Sequence, residues 1–194
     1  MIAPIAALAS ADRWLLLKIN RDWTAPSLDA IMPVITDIHK VRWFAWGVAP
    51  AALALWLWKG RKHALKVLIV AALAMGAGDL LAFRVIKPWA GRLRPEHAGV
   101  PVVMRAPASS LYGFPSNHSV NMGAAAAVLS VAYPGGTFAF AGAAALIGYS
   151  RVYVGAHYPG DVLGGLLIGF AIGWPWAGLM LGGGGGSSGK KKRR

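Results

Sequence analysis

Cysteine is absent from the 194 residues, which excludes disulfides and thiolate metal sites. Acidic side chains are scarce as well: 7 Asp and Glu stand against 20 Lys and Arg, so any metal would need His and a handful of carboxylates. Charge of either sign is thin, at 14% against 56% hydrophobic residues, which is too apolar for an ordinary soluble domain of this size and points to the bilayer as solvent. The net charge of +13 would suit nucleic acid, but five of the bases form the terminal run 190–194. Most of the others flank apolar runs or sit in two short loops, a distribution suited to lipid headgroups and phosphate rather than to a nucleic-acid surface.

Long apolar runs are missing from residues 1–42, where Asp12, Arg13, Asp22, Pro26 and Asp29 cut the chain into pieces shorter than the roughly 20 residues a span needs. That segment reads as amphipathic helices at the interface with Trp14 and Trp23 at headgroup depth, leaving room for a sixth span, and no basic region precedes its first apolar piece as a secretory signal requires. From residue 43 the pattern changes. Runs at 43–58 and 64–86 are separated by Lys59-Gly60-Arg61-Lys62, shorter Ala- and Gly-rich runs follow at 119–133 and 137–149, and a last one covers 161–181. The expectation is an all-α integral-membrane helical bundle with about five transmembrane helices. It forms one domain over 1–181 with its transmembrane core at 43–181, and 182–194 are a flexible Gly/Ser linker with a basic tail that is either a lipid-surface anchor or an artificial appendage.

Two short runs separate the polar loops 87–115 and 151–160, so both loops fall on one membrane face and their chemistry converges. Three clusters lie there. Lys87 and Arg94-Pro95 border the first loop; taken alone they are bases snorkelling to headgroups. Pro115-Ser116-Asn117-His118 precedes an apolar run, where Ser116 or Asn117 can cap a helix whose free amides bind an anion, and His118 can exchange a proton near neutral pH. Ser150-Arg151 is followed by His157 and Asp161. Pro159 suits a first helical turn, from which Asp161 can reach back to fix the tautomer of His157 and leave its other nitrogen free to attack phosphorus. The plain alternative is a capping Asp beside a buried His. Together the clusters offer a nucleophile, a proton donor and fixed cations for the equatorial oxygens of a phosphoryl group.

These residues resemble the three signature motifs of the type-2 phosphatidic acid phosphatase superfamily: Lys, six residues, Arg-Pro; Pro-Ser-x-His; and Ser-Arg, five residues, His, three residues, Asp. All ten fixed identities occur in order, from Lys87 to Asp161, with Asn117 where many members have Gly. The resemblance covers residues 64–181 and is similar to small bacterial members. It implies His157 as nucleophile, Asp161 as its partner, His118 as acid, and Lys87, Arg94, Ser116, Asn117 and Arg151 as phosphate binders, with neither metal nor cofactor.

It further implies a multi-pass protein of the bacterial inner membrane with its site facing the extracytoplasmic side, acting on a lipid phosphate or pyrophosphate. Undecaprenyl pyrophosphate is preferred over phosphatidylglycerophosphate or phosphatidic acid by that analogy alone. A non-catalytic lipid-phosphate binder or transporter is the competing reading, opposed by two His and an Asp at motif spacing. Asp79 and Arg84, inside an apolar run, read as a structural ion pair or an interhelical bond. Glu96 and His97 read as exposed loop residues, and His39 and His63 as headgroup contacts.

Overall fold

The computed structural model describes residues 3–107 and 110–182, so the Gly/Ser and basic tail lies almost wholly outside the described residues. Their regular structure is all helical, with no strand among the described residues and one isolated bridge between Leu93 and Tyr112 in the loop 91–116. Helix α1 (Ala3–Leu17) runs into a π turn at Lys18–Asp22, and Pro26 opens α2 (Pro26–Thr36) at the position where its missing N–H is harmless. A 3-10 turn at Ile38–Lys40 leads to a helical stretch over Phe44–Ala90, containing α3 (Ala49–Leu81) and α4 (Lys87–Ala90). Unbroken, those 47 residues would extend about 70 Å, more than twice the hydrocarbon thickness. The axis breaks at Arg61, whose φ of 47° and ψ of −127° are not helical, inside the basic cluster that separates the two apolar runs in the sequence.

After the polar loop come α5 (Asn117–Ala132), α6 (Thr137–Tyr153) and α7 (Pro159–Leu181). Phe44–Ala90 and Pro159–Leu181 are long and apolar enough to cross a membrane. At 16 and 17 residues, α5 and α6 fall short of the roughly 20 that a full span requires, so the five expected runs are all helical but only some reach spanning length by themselves. Exposed apolar stripes at Leu65, Ile69, Leu73 and Leu80 on α3, and at Leu163, Leu167, Phe170 and Trp174 on α7, recur at helical spacing and suit contact with acyl chains.

Helices α5 and α7 meet along a seam of small residues. Gly165, Gly169 and Gly173 lie one turn apart, and a Cβ on Gly169 or Gly173 would strike the Val120 or Ala124 carbonyl of α5. This close approach brings the two helix N-termini side by side, where the Ser116 amide donates to the Asp161 carbonyl at 3.0 Å.

The N-terminal segment is more than an interfacial rim. Leu16, Ile19 and Met32 are buried together with Val100 and Val154 from the polar loops, Tyr153 at the end of α6 and Val162 in the first turn of α7. Asn20, fully buried, donates to the carbonyls of Val103 and Tyr153 and accepts from the Val103 amide at 2.8 Å. Trp14 and Trp23, expected at headgroup depth, are both more than half exposed.

Candidate active site

The two polar loops, the end of α2 with the turn after it, the C-terminal half of the long helical stretch, and α5 and α6 surround a cavity of about 620 Å³. Six of the eight residues singled out by the motifs line it: Lys87, Arg94, Asn117, His118, Arg151 and His157. Ser116 and Asp161, both fully buried, stand behind its wall. Motif residues up to 70 positions apart in the chain thus face one hollow, and both motif imidazoles share it.

Each side chain is held by the backbone around it. The Lys87 ammonium, at the end of the long helical stretch, donates to the Pro115 carbonyl at 2.7 Å and to that of Tyr112 at 3.3 Å, tying the first cluster to the second. Arg94 follows the turn at Gly91, whose φ of 57° closes α4 in the left-handed conformation glycine favours. Its guanidinium donates to the Ala156 carbonyl at 3.1 Å and to Ser110 at 3.0 Å. Ser116 caps α5 by accepting from the Ser119 amide at 3.4 Å, so its hydroxyl has a structural task as well as any contact with an anion. Asn117 donates to Asp79 at 2.8 Å, and Arg151 to Thr36 at 2.7 Å.

His157 defines the chemistry. Arg94 Nη1 lies 3.0 Å from its Nε2, and because a guanidinium can only donate, Nε2 carries the lone pair. The ring proton therefore sits on Nδ1, which faces Asp161 Oδ2 at 3.5 Å without a hydrogen bond between them. Burial, reinforced by the cations of Arg94, Arg151 and Lys87, holds His157 well below the usual imidazole range, so it is neutral at physiological pH. Burial also lowers Arg94 from its ordinary value. Among the described residues, Arg94 Nε and Arg151 Nε are buried donors with no partner. Such orphaned donors beside a polar cavity are ready to receive an anion.

The carboxylate of Asp161 is itself clamped. Its Oδ2 accepts from the Tyr158 amide at 3.1 Å in a capping box, and its Oδ1 accepts from Arg92 at 2.9 Å. Arg92 also pairs with Asp12 of α1 and lies over the Tyr158 ring, 4.1 Å from its centroid, while Asp12 accepts from the Gly160 amide at 2.7 Å. Nothing in the sequence points to this arrangement: Arg92 lies outside the motif positions in the first loop, and Asp12 lies 80 positions from it. Asp79 makes an interhelical bond with Asn117 and also accepts from Asn121 at 3.3 Å, the second of the two readings its position allowed.

Residues 63–181 match the family model described as PAP2 superfamily, and the chain belongs to that family. The lipid A 1-phosphatase of Rhizobium johnstonii is 39% identical over 93 residues, 46% of this chain and 38% of that protein, so the chain spans about two-fifths of that relative's length. The undecaprenyl-diphosphatase BcrC of Bacillus subtilis is 30% identical over 154 residues, 75% of this chain and 72% of the relative. Among solved structures, a transmembrane PAP2 type phosphatidylglycerolphosphate phosphatase from Bacillus subtilis superposes with a TM-score of 0.66 at 26% identity, covering 89% of this chain and 86% of that one. These three relatives are all phosphatases by name, and the solved structure among them is a transmembrane one.

Proposed function

We propose that this chain hydrolyses a lipid phosphate or pyrophosphate without a metal, through a phosphohistidine on His157. The observation that carries the reading is the setting of that ring, with Arg94 hydrogen-bonded at the lone pair of Nε2 and the Asp161 carboxylate facing Nδ1 at 3.5 Å. An entering phosphoryl group takes over the guanidinium of Arg94 as hydrogen-bond acceptor and frees the lone pair of Nε2 to attack phosphorus. Arg151, Lys87 and the first-turn amides of α5 hold the equatorial oxygens. As the N–P bond forms, the P–O bond to the leaving group breaks and His118 gives that oxygen its proton. Asp161 stabilises the imidazolium. Water then attacks the phosphohistidine, His118 takes the proton back, and inorganic phosphate leaves.

Residues 1–181 act in this reading as one unit with five spans, in a bacterial inner membrane and with the cavity on the extracytoplasmic side. Short α5 and α6 set the cavity at headgroup level, where a lipid phosphate lies. Undecaprenyl pyrophosphate is the preferred substrate, supported by the likeness to BcrC over three quarters of the chain. A lipid A phosphate is the second reading, favoured by the 39% identity to a lipid A 1-phosphatase over 93 residues.

Phosphate release from undecaprenyl pyrophosphate, lipid A, phosphatidylglycerophosphate and phosphatidic acid, measured in detergent with excess chelator, tests both the chemistry and the choice. One substrate should exceed the rest at least tenfold in kcat/KM, and acid-labile radiolabelled phosphate should remain on the quenched wild-type protein. Full activity in His157→Ala, or complete loss of wild-type activity in chelator, overturns the mechanism.

A further inference from the structure

Outside the motifs, the end of α2 and the turn after it place Asp37 and His39 against His118. One carboxylate oxygen of Asp37 is 3.9 Å from His118 Nε2, and the rings of His39 and His118 lie 6.1 Å apart between centroids, tilted by 49°. The three residues each offer a ligand atom within 4.8 Å of the others, the one such group among the described residues. His39 is exposed and both imidazoles line the mouth of the cavity. The other Asp37 oxygen is occupied by Lys40 at 2.9 Å, which steers the oxygen facing His118 toward the cluster.

We infer that Asp37, His39 and His118 form an inhibitory binding site for a first-row divalent cation of the Zn²⁺ class. Two imidazoles and one carboxylate make a donor set that suits Zn²⁺ and is poor for Mg²⁺ or Ca²⁺, which demand oxygen ligands. Tetrahedral coordination needs donor atoms about 3.3 Å apart, given ligand distances near 2.0 Å, so the side chains close in by about 1 Å. His39 and Asp37 sit in and beside a short turn, where such a shift meets little packing. Lys40 and Arg151 nearby weaken the attraction for a cation, which makes the site a reversible one rather than a permanent metal centre.

A bound cation occupies a lone pair of His118 and removes it from proton transfer, so the consequence rests on the reading of His118 as the acid, while the binding itself does not. The experiment keeps the two apart. Purified full-length protein, stripped with chelator and exchanged into buffered detergent, is titrated with Zn²⁺ by calorimetry and, in parallel, assayed for lipid phosphate hydrolysis at the same free Zn²⁺. The wild type should bind one ion at this site and lose activity along the same curve, with Mg²⁺ without effect.

His39→Ala and His39→Gln should keep metal-free activity within about twofold and need at least tenfold more Zn²⁺ for both binding and inhibition. Binding that is absent, or equally tight in both His39 variants, overturns the site. Binding that depends on His39 but leaves activity untouched overturns the inhibitory role and, with it, the assignment of His118.

Discussion

Replacing Arg92 by Ala tests whether the clamp behind the cavity governs the nucleophile. Asp161, with its side chain fully buried, would keep the Tyr158 amide and the contact with His157 but lose the one guanidinium that neutralises it. A hydrogen bond to a charged group is worth about 1.5–3 kcal/mol, and because the Arg92 side chain is 31% exposed the lower part of that range applies. Without that guanidinium the buried carboxylate is no longer kept ionised and aimed at Nδ1, and losing about 1.5–2 kcal/mol of its support for the imidazolium corresponds to a fall of about 10–30-fold in kcat. Arg92 is not among the residues that line the phosphate cavity, so KM should stay within about twofold. Arg92→Lys should recover only part of the loss, since an ammonium does not span Asp12 and Asp161 with one rigid fork. Steady-state kinetics in mixed micelles with the best lipid substrate, alongside a thermal melt to verify folding, is the assay. An unchanged kcat in folded Arg92→Ala, or a loss confined to KM, refutes the reasoning.

Asp161→Asn removes the negative charge facing Nδ1 that stabilises the imidazolium, and kcat should fall by about 10²–10⁴-fold, read in the same assay. The lowered His157 keeps the ring neutral throughout the physiological range, so ring NMR of labelled protein in micelles should find its titration well under the ordinary 6.5. The linked stability runs in the same direction: it is complete above the unfolded value of about 6.5 and declines as pH falls below it, where the unfolded chain takes up the proton first. Gly169→Ala forces a methyl against the Val120 carbonyl and should destabilise by about 1–3 kcal/mol. Gly178→Ala, with open space around it, should melt like the wild type.

The parts of the fold and site that the sequence makes legible are those set by short-range chemistry. Apolar runs bounded by Lys59-Gly60-Arg61-Lys62 and by Pro134-Gly135-Gly136 mark the helix breaks, and the break at Arg61 falls within the first of these clusters. Motif spacing brings out the polar residues because their chemistry demands fixed residue types. Pairings between segments with no mutual pattern stay hidden. Nothing in 1–42 signals that Asp12 would grip Arg92 or that Asn20 would serve two carbonyls, since amphipathic composition describes a helix with one polar face whether that face meets water or a loop. The seam of Gly165, Gly169 and Gly173 stays hidden for the same reason: its effect, setting two helix N-termini side by side, depends on the facing helix.

The same cations that suit the cavity to phosphate load the fold with unrelieved charge. Lys87, Arg94 and Arg151 are buried around one hollow, and Asp161, the fully buried carboxylate beside them, is already committed to Arg92 and the Tyr158 amide. Like charges held this way repel in a medium of low dielectric constant, and an anion that satisfies the free Nε donors of Arg94 and Arg151 relieves the repulsion. Inorganic phosphate should therefore raise the thermal midpoint, by an amount equivalent to about 2.7 kcal/mol when present at 100 times its dissociation constant. Arg94→Met removes one of the cations and a free donor, so its midpoint should respond to phosphate far less, whatever its starting value. An equal rise in both proteins would mean that phosphate acts on the outer surface and that the buried cations do not hold it.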